Sequence, residues 1–115
     1  MQPERFYVFP PFRLDLVNEC LWRDAHQIAL RSKPFAVLRC LLEHAGQLVT
    51  KDVLFNTVWP GVYVSDSPLL VCIHELRKAL GDDAHTPRFI ETVHGRGYRF
   101  IGKVVSSQHS VVSSQ

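Results

Sequence analysis

The hydrophobic pattern of the chain changes its period near residue 32, and this change limits the folds open to it. Before that point, short segments alternate apolar and polar side chains, as over residues 12–16, which is typical of half-buried β-strands. After it, apolar residues recur three or four positions apart, which is typical of amphipathic helices. Short strands return only after residue 88. The pattern therefore predicts an α+β domain with strands first, helices next and a hairpin last.

Three helices are predicted between two sets of strands. The first 31 residues contain turn signals at Pro10-Pro11 and Asn18-Glu19, which separate the strands of a small antiparallel sheet. The four strands are expected over residues 6–9, 12–16, 20–23 and 27–30. The expected starts and stops of the helices are, in chain order, Ser32 and Gly46, Thr50 and Pro60-Gly61, and Ser65 or Asp66 and Gly81.

Residues 88–103 combine a predicted hairpin with a local positive charge. Strands over 89–93 and 98–101 flank His94-Gly95-Arg96-Gly97, whose two glycines are expected to supply positive φ. This stretch carries a net charge of +3, against +2 for all 115 residues. On charge alone, a solvated strand face is the simpler interpretation. Three helices followed by a hairpin, however, indicate a winged helix-turn-helix.

No catalytic or metal-binding motif accompanies this plan. His74-Glu75 is followed by Lys78 where a zinc protease would have its second histidine. The cysteines, Cys20, Cys40 and Cys72, form no CxxC pair, which favours a reducing compartment. No apolar run has the ~18 residues needed for a membrane span, and no signal peptide is visible. We therefore expect a cytoplasmic protein that is not an enzyme and has no metal, cofactor or membrane partner.

Several ordered segments resemble one family over about residues 6–104. They are Leu21-Trp22-Arg23-Asp24, Ile28-Ala29-Leu30, Val49-Thr50-Lys51, Val58-Trp59, Val64-Ser65-Asp66-Ser67, Leu76-Arg77-Lys78-Ala79-Leu80-Gly81 and Ile90-Glu91-Thr92-Val93-His94-Gly95-Arg96-Gly97-Tyr98-Arg99-Phe100. The chain resembles the OmpR/PhoB-type DNA-binding domain of bacterial transcriptional regulators, here with no receiver domain expected. The resemblance implies a four-stranded N-terminal antiparallel sheet, a three-helix core and a C-terminal β-hairpin wing. The domain would cover residues 1–104, with a flexible tail or linker over 105–115.

The resemblance implies sequence-specific binding of double-stranded DNA for transcriptional regulation. The third helix, over about residues 66–80, would lie in the major groove, where side chains on one helix face reach base edges. Basic side chains there suit phosphate or guanine, and an apolar one suits a thymine methyl group. The candidate contacts on this helix are Ser67, Val71, His74, Glu75, Arg77 and Lys78.

Further candidate contacts lie at the second helix and in the wing. The wing over 93–98 would reach the minor groove, and helix N-termini suit phosphates. The family's minor-groove arginine often falls at His94, so either Arg96 substitutes for it or binding strengthens as the pH falls. Tyr98 suits a phosphate contact or core packing equally. The candidates are Thr50, Lys51, Thr92, His94, Arg96, Tyr98 and Arg99.

Glu75 departs from the family, which often has an arginine at this position. A carboxylate repels phosphates but accepts a hydrogen bond from the amino group of cytosine. Glu75 is therefore either a specificity residue or the partner of a nearby arginine or lysine that it orients. The sequence leaves these two alternatives open.

The resemblance also implies particular partners. The domain would be monomeric in solution, bind as a tandem pair on direct repeats in the nucleoid, and touch RNA polymerase through loop 60–64. The alternative is a winged-helix module for protein–protein interaction with weak, non-specific DNA binding. The low net charge, Glu75 and His94 favour that alternative.

Overall fold

The computed structural model of the protein describes residues 6–106. The chain divides into two compact units. The described part of the first comprises residues 6–30 and 103–106, and the second comprises residues 31–102.

The first unit is an antiparallel sheet of five strands. Its order is β4-β3-β2-β1-β8, where the strands are β1 (Phe6–Phe9), β2 (Phe12–Asp15), β3 (Cys20–Arg23), β4 (His26–Ile28) and β8 (Val105–Ser106). The four predicted strands are confirmed. The fifth was not predicted, because residues 105 and 106 were assigned to the tail. The rest of that tail, residues 107–115, lies outside the described residues.

Alternation of side chains separates the two faces of this sheet. Phe9, Phe12, Leu14 and Leu21 are buried on one face. On the other face, the guanidinium of Arg13 lies 5.3 Å from the ring centre of Phe6 and 5.5 Å from that of Trp22. Such cation–π contacts cover aromatic surface that would otherwise face water.

The second unit contains three helices and a three-stranded antiparallel sheet. In chain order its elements are α1 (Ser32–Glu43), β5 (Leu48–Thr50), α2 (Lys51–Val58), α3 (Ser67–Leu80), β6 (Ile90–Val93) and β7 (Gly97–Phe100). The sheet order is β5-β7-β6. The helix core is built from the apolar side chains that recur three or four positions apart, among them Leu38, Leu41, Leu54, Ile73 and Leu76, which are all buried.

Helix ends agree with the sequence at some positions and differ at others. Thr50 is the N-cap of α2 as predicted, since its hydroxyl oxygen accepts the backbone N–H of Val53 at 3.2 Å. Gly81 ends α3 with φ 67°. The prediction for α1 was wrong by one residue, because Arg31 is the N-cap and Ser32 is already helical. Asp66 is the N-cap of α3 but makes no side-chain capping bond.

The two wing glycines serve different purposes. Gly95 has φ +77°, as the turn between β6 and β7 requires. Gly97 does not adopt positive φ, so that part of the prediction was wrong. A Cβ at Gly97 would lie 2.1 Å from the carbonyl oxygen of Val49. Gly97 therefore permits the close approach of β7 to β5.

Candidate nucleic-acid interface

One face of α3 is turned to solvent. Leu69, Ile73 and Leu76 are buried on the inner face, whereas Leu70 and Val71 are 56% and 49% exposed. Because residues three and four apart are neighbours on a helix surface, the exposed positions form one continuous strip. The predicted contacts in this strip are Ser67, Val71, His74 and Lys78, all exposed.

Arg77 lies beside this strip and attaches α3 to the wing. Its Nη2 donates to the backbone oxygen of Ile90 and to the hydroxyl oxygen of Thr92, each at 2.9 Å. Its Nε is buried and has no hydrogen-bond partner within the described part of the chain. The predicted contact residues Arg77 and Thr92 thus bind one another and hold α3 against β6.

Glu75 makes an ion pair with the N-cap of α1. Arg31 Nε donates to Oε1 of Glu75 at 3.2 Å, and Arg31 Nη2 donates to Oε2 at 2.5 Å. This hydrogen bond and the carboxylate charge raise the pKa of Arg31. Sequence reasoning missed Arg31. The only signal was its charge, complementary to that of Glu75, and the two residues are 44 positions apart.

The start of α2 is linked to both α3 and the wing. The backbone N–H of Lys51 donates to the carbonyl oxygen of Arg96 at 3.1 Å. The Lys51 ammonium lies 3.6 Å from the carboxylate of Asp66, which precedes α3. The structure therefore brings Thr50 and Lys51 together with the wing turn.

The wing turn itself presents two exposed basic side chains. The N–H of Arg96 donates to the carbonyl oxygen of Val93 at 2.9 Å and closes the turn. His94 and Arg96 are exposed on it. Arg96 and Lys78 form no salt bridge with another of residues 6–106. Their charges are thus free to attract an anion.

Two other predicted wing residues are engaged inside the domain. Tyr98 is only 4% exposed, and this burial raises its pKa, so the structure supports the packing interpretation. Arg99 Nη1 donates to Oε1 of Glu91 at 3.1 Å across the β6–β7 pair. Tyr98 is thus buried and Arg99 is half-buried, whereas Arg96 on the wing turn is exposed.

The loop between α2 and α3 exposes apolar surface. Tyr63 is 97% exposed and Val62 is 60% exposed. No described helix is long and apolar enough to cross a membrane. Within residues 6–106, no three His, Cys, Asp or Glu residues lie together in a way that could hold a metal ion.

Three helices, the last with an exposed face beside a two-stranded wing, define a winged helix-turn-helix domain. A family model described as "Transcriptional regulatory protein, C terminal" matches residues 25–100. The chain belongs to this family, the OmpR/PhoB-type DNA-binding domains of transcriptional regulators. Both the family and the fold predicted from the sequence are confirmed.

Individual relatives agree with this assignment. The chain is 39% identical over 99 residues to the transcriptional regulator HilA of Salmonella typhimurium. The aligned region covers 86% of this chain and 18% of HilA. The DNA-binding domain of Klebsiella pneumoniae RstA, solved in complex with the RstA box, is 33% identical, with a TM-score of 0.75 over 84% of this chain and 96% of that one. The DNA-binding domain of E. coli CadC is 25% identical, with a TM-score of 0.76 over 91% and 98%. The chain spans 18% of HilA, 44% of the regulatory protein YrkP of Bacillus subtilis and 36% of the regulatory protein VanR of Enterococcus faecium, less than half the length of each.

Proposed function

We propose that this domain binds a double-stranded operator, with α3 in the major groove and the wing turn over 94–96 at the adjacent minor groove. The observation that carries the proposal is the pair of hydrogen bonds from Arg77 to β6. They hold the exposed strip of α3 and the exposed basic wing in one unit. Binding of the RstA domain to its box supports a duplex DNA partner.

The exposed side chains have the chemistry for these contacts. Lys78 suits a phosphate or the acceptors of guanine, and Val71 suits a thymine methyl group. Ser67 and His74 donate hydrogen bonds to phosphates or base edges. Arg96 and His94 fit the negative potential of a narrow minor groove.

The remaining predicted residues support or extend this interface. Thr50 and Lys51 open α2, where N–H groups and an ammonium favour a phosphate. A phosphate would compete with Asp66 for Lys51, since that pair is exposed and 3.6 Å apart. In our proposal, the engaged side chains hold the helix and wing in place; they are Arg77, Thr92, Tyr98 and Arg99.

The partners that we propose follow the OmpR/PhoB resemblance. The domain is monomeric in solution and binds as a tandem pair on direct repeats, in the nucleoid of the cytoplasm. Loop 60–64 touches RNA polymerase, and the exposure of Tyr63 and Val62 supports this contact. DNA binding rather than catalysis is the role of the domain.

The test is retention of sheared genomic DNA at two salt concentrations, followed by sequencing. A direct repeat that recurs at the higher salt is expected. Lys78→Ala and Arg96→Ala should each weaken binding, and Lys78→Ala should lower the salt slope by about one if Lys78 contacts a phosphate. Arg39→Ala, an exposed arginine of α1 that pairs with Glu43, is the matched control. Wild-type binding by both interface variants would contradict the docking arrangement.

A second candidate function is a protein-interaction module. The pairs Lys51–Asp66 and Arg99–Glu91 favour it, because they neutralise cations that DNA would need. Retention on heparin or bulk DNA at low salt separates the two. Failure of the wild-type domain to bind either would favour the interaction module.

A further inference from the structure

Glu75 is a carboxylate beside the strip of α3 that we assign to DNA. Val71 lies one turn before it and Lys78 lies three residues after it, so all three share one surface. The Glu75 side chain is 34% exposed. An uncompensated carboxylate here would repel the phosphates that Lys78 attracts.

Arg31 compensates that charge. Its guanidinium donates to both carboxylate oxygens of Glu75 through two different nitrogens, at 3.2 and 2.5 Å. Such two-point contacts fix orientation as well as charge. Each carboxylate oxygen has two lone pairs, so the contact with Arg31 leaves one on each oxygen for another donor.

We propose that Glu75 accepts a hydrogen bond from the amino group of a cytosine in the major groove. Arg31 is the positioning residue, because it reduces the repulsion between the Glu75 carboxylate and the DNA phosphates. The inference rests on the proposed docking of α3. Arg31 cancels the charge that would repel the backbone and holds the carboxylate at one angle. The pair is thus a specificity element built from two helices.

Cytosine fits this site better than the other bases. The major-groove edge of the cytosine base itself carries the N4 donor and no acceptor. Adenine offers a donor at N6 but places the N7 acceptor beside it, which would face a carboxylate that has no proton to give. Guanine and thymine present acceptors at O6, N7 and O4. A single correctly placed hydrogen bond should favour cytosine by about fivefold, which corresponds to the lower end of the range for two-point contacts.

The test is selection from a random-sequence double-stranded DNA pool, with the base preference measured at every position. The wild-type domain should show one strong preference for cytosine that Glu75→Ala abolishes. Glu75→Gln should shift that position from cytosine to adenine, because an amide both accepts from N6 and donates to N7. The other positions should keep their preferences. Glu43→Gln alters the Arg39–Glu43 pair of α1 and is the matched control, with no expected change.

The role of Arg31 needs its own readout. Arg31→Lys keeps the charge but loses the two-point contact, so it should weaken the cytosine preference while affinity for sequences without that cytosine stays close to wild type. Arg31→Ala should lower affinity for all sequences, and adding Glu75→Ala should restore affinity without the preference. Since Arg31→Lys changes no residue of α3, it remains informative even if a Glu75 variant fails to fold.

The outcomes separate this inference from the proposed function. If the Glu75 and Arg31 variants had lower thermal unfolding midpoints but unchanged base preferences, the Arg31–Glu75 pair would only stabilise the packing of the helices. That result would overturn this inference but not the proposed docking on DNA. A wild-type domain that selects no motif at all would overturn the docking proposal, and this inference with it.

Discussion

In the second unit, the reason why a position requires its residue is not always evident from the residue type, and Gly97 is an example. Gly97 looks like a turn glycine in the sequence, but its backbone requires no positive φ. It is instead limited by space, since the nearest atoms to a Cβ there belong to the backbone of Val49 and Thr50. Backbone atoms in a paired strand cannot move aside as a flexible side chain would.

Replacement of Gly97 by alanine should therefore destabilise the domain by about 3 kcal/mol, at the upper end of the usual cost of overpacking. Gly95→Ala is the comparison, because its φ is +77° but nothing lies within 4 Å of its Cβ position. It should cost only about 1 kcal/mol. Urea unfolding of both variants measures the difference. Equal costs would mean that β7 can move away from β5.

Arg77 and Lys78 are adjacent in sequence, but we expect their replacement to affect different properties, namely stability for Arg77 and DNA affinity for Lys78. Arg77→Ala removes two hydrogen bonds to β6 and should cost about 2 kcal/mol of stability. Lys78→Ala removes an exposed ammonium and should change stability by less than about 0.5 kcal/mol, while DNA affinity falls. Thermal unfolding together with DNA titration of both variants makes the comparison. Equal unfolding midpoints would contradict the structural role of Arg77.

At the level of elements, hydrophobic periodicity predicted the helices and the wing hairpin, which are formed by the longer amphipathic segments. All three helices and the wing hairpin were found near their predicted bounds, because apolar side chains at helical spacing must be buried on one side. Strands β5 and β8 have three and two residues, and neither follows its partner strand through a tight turn, as the equally short β4 follows β3, so both were missed. Their pairing depends on β7 and β1, which are distant in the chain.

The N-terminus of α2 provides a prediction for one element. Thr50→Ala removes the acceptor for the Val53 N–H and should lower stability by about 1 kcal/mol. Thr50→Ser keeps the hydroxyl and should recover most of the loss. Chemical denaturation of the three proteins gives the values. If serine and alanine were equally destabilising, packing of the threonine methyl group would be the cause instead.

For the whole molecule, acid should weaken both units. Burial alone would raise the pKa of Asp15, but hydrogen bonds from Asn18 and Val17 lower it overall. In the other unit, hydrogen bonds from the His85 N–H and the Thr86 hydroxyl lower the pKa of Asp83. A carboxylate whose pKa is lower in the folded state stabilises the fold at pH values above its unfolded pKa, which is near 3.9. This stabilisation is lost as the pH falls through the pKa of the folded state.

Stability should therefore decline below about pH 4, and less steeply in a variant with Asp15→Asn and Asp83→Asn. Urea unfolding at a series of pH values measures both slopes. Parallel slopes for the two proteins would show that other carboxylates control acid unfolding.

The candidate site was predictable in composition but not in its internal pairing. Helical spacing predicts the exposed strip of α3, whereas the assignment of this strip and of the wing turn to DNA came from the resemblance to OmpR/PhoB-type domains. The pairs Arg31–Glu75 and Arg77–Thr92 join residues 44 and 15 positions apart, and only the packed helices and sheet bring them together. Side chains that appear free for DNA in the sequence are consequently engaged with one another.

The tether between Arg77 and β6 has a consequence for how an operator is chosen. In a domain that docks as we propose, the distance from the groove-reading helix to the wing is set by hydrogen bonds and does not adapt to the DNA. The duplex must then supply the fit through its own groove width and bend. The stiffness of base steps that no side chain touches would then affect affinity. The domain would therefore recognise the shape of the DNA as well as its base sequence.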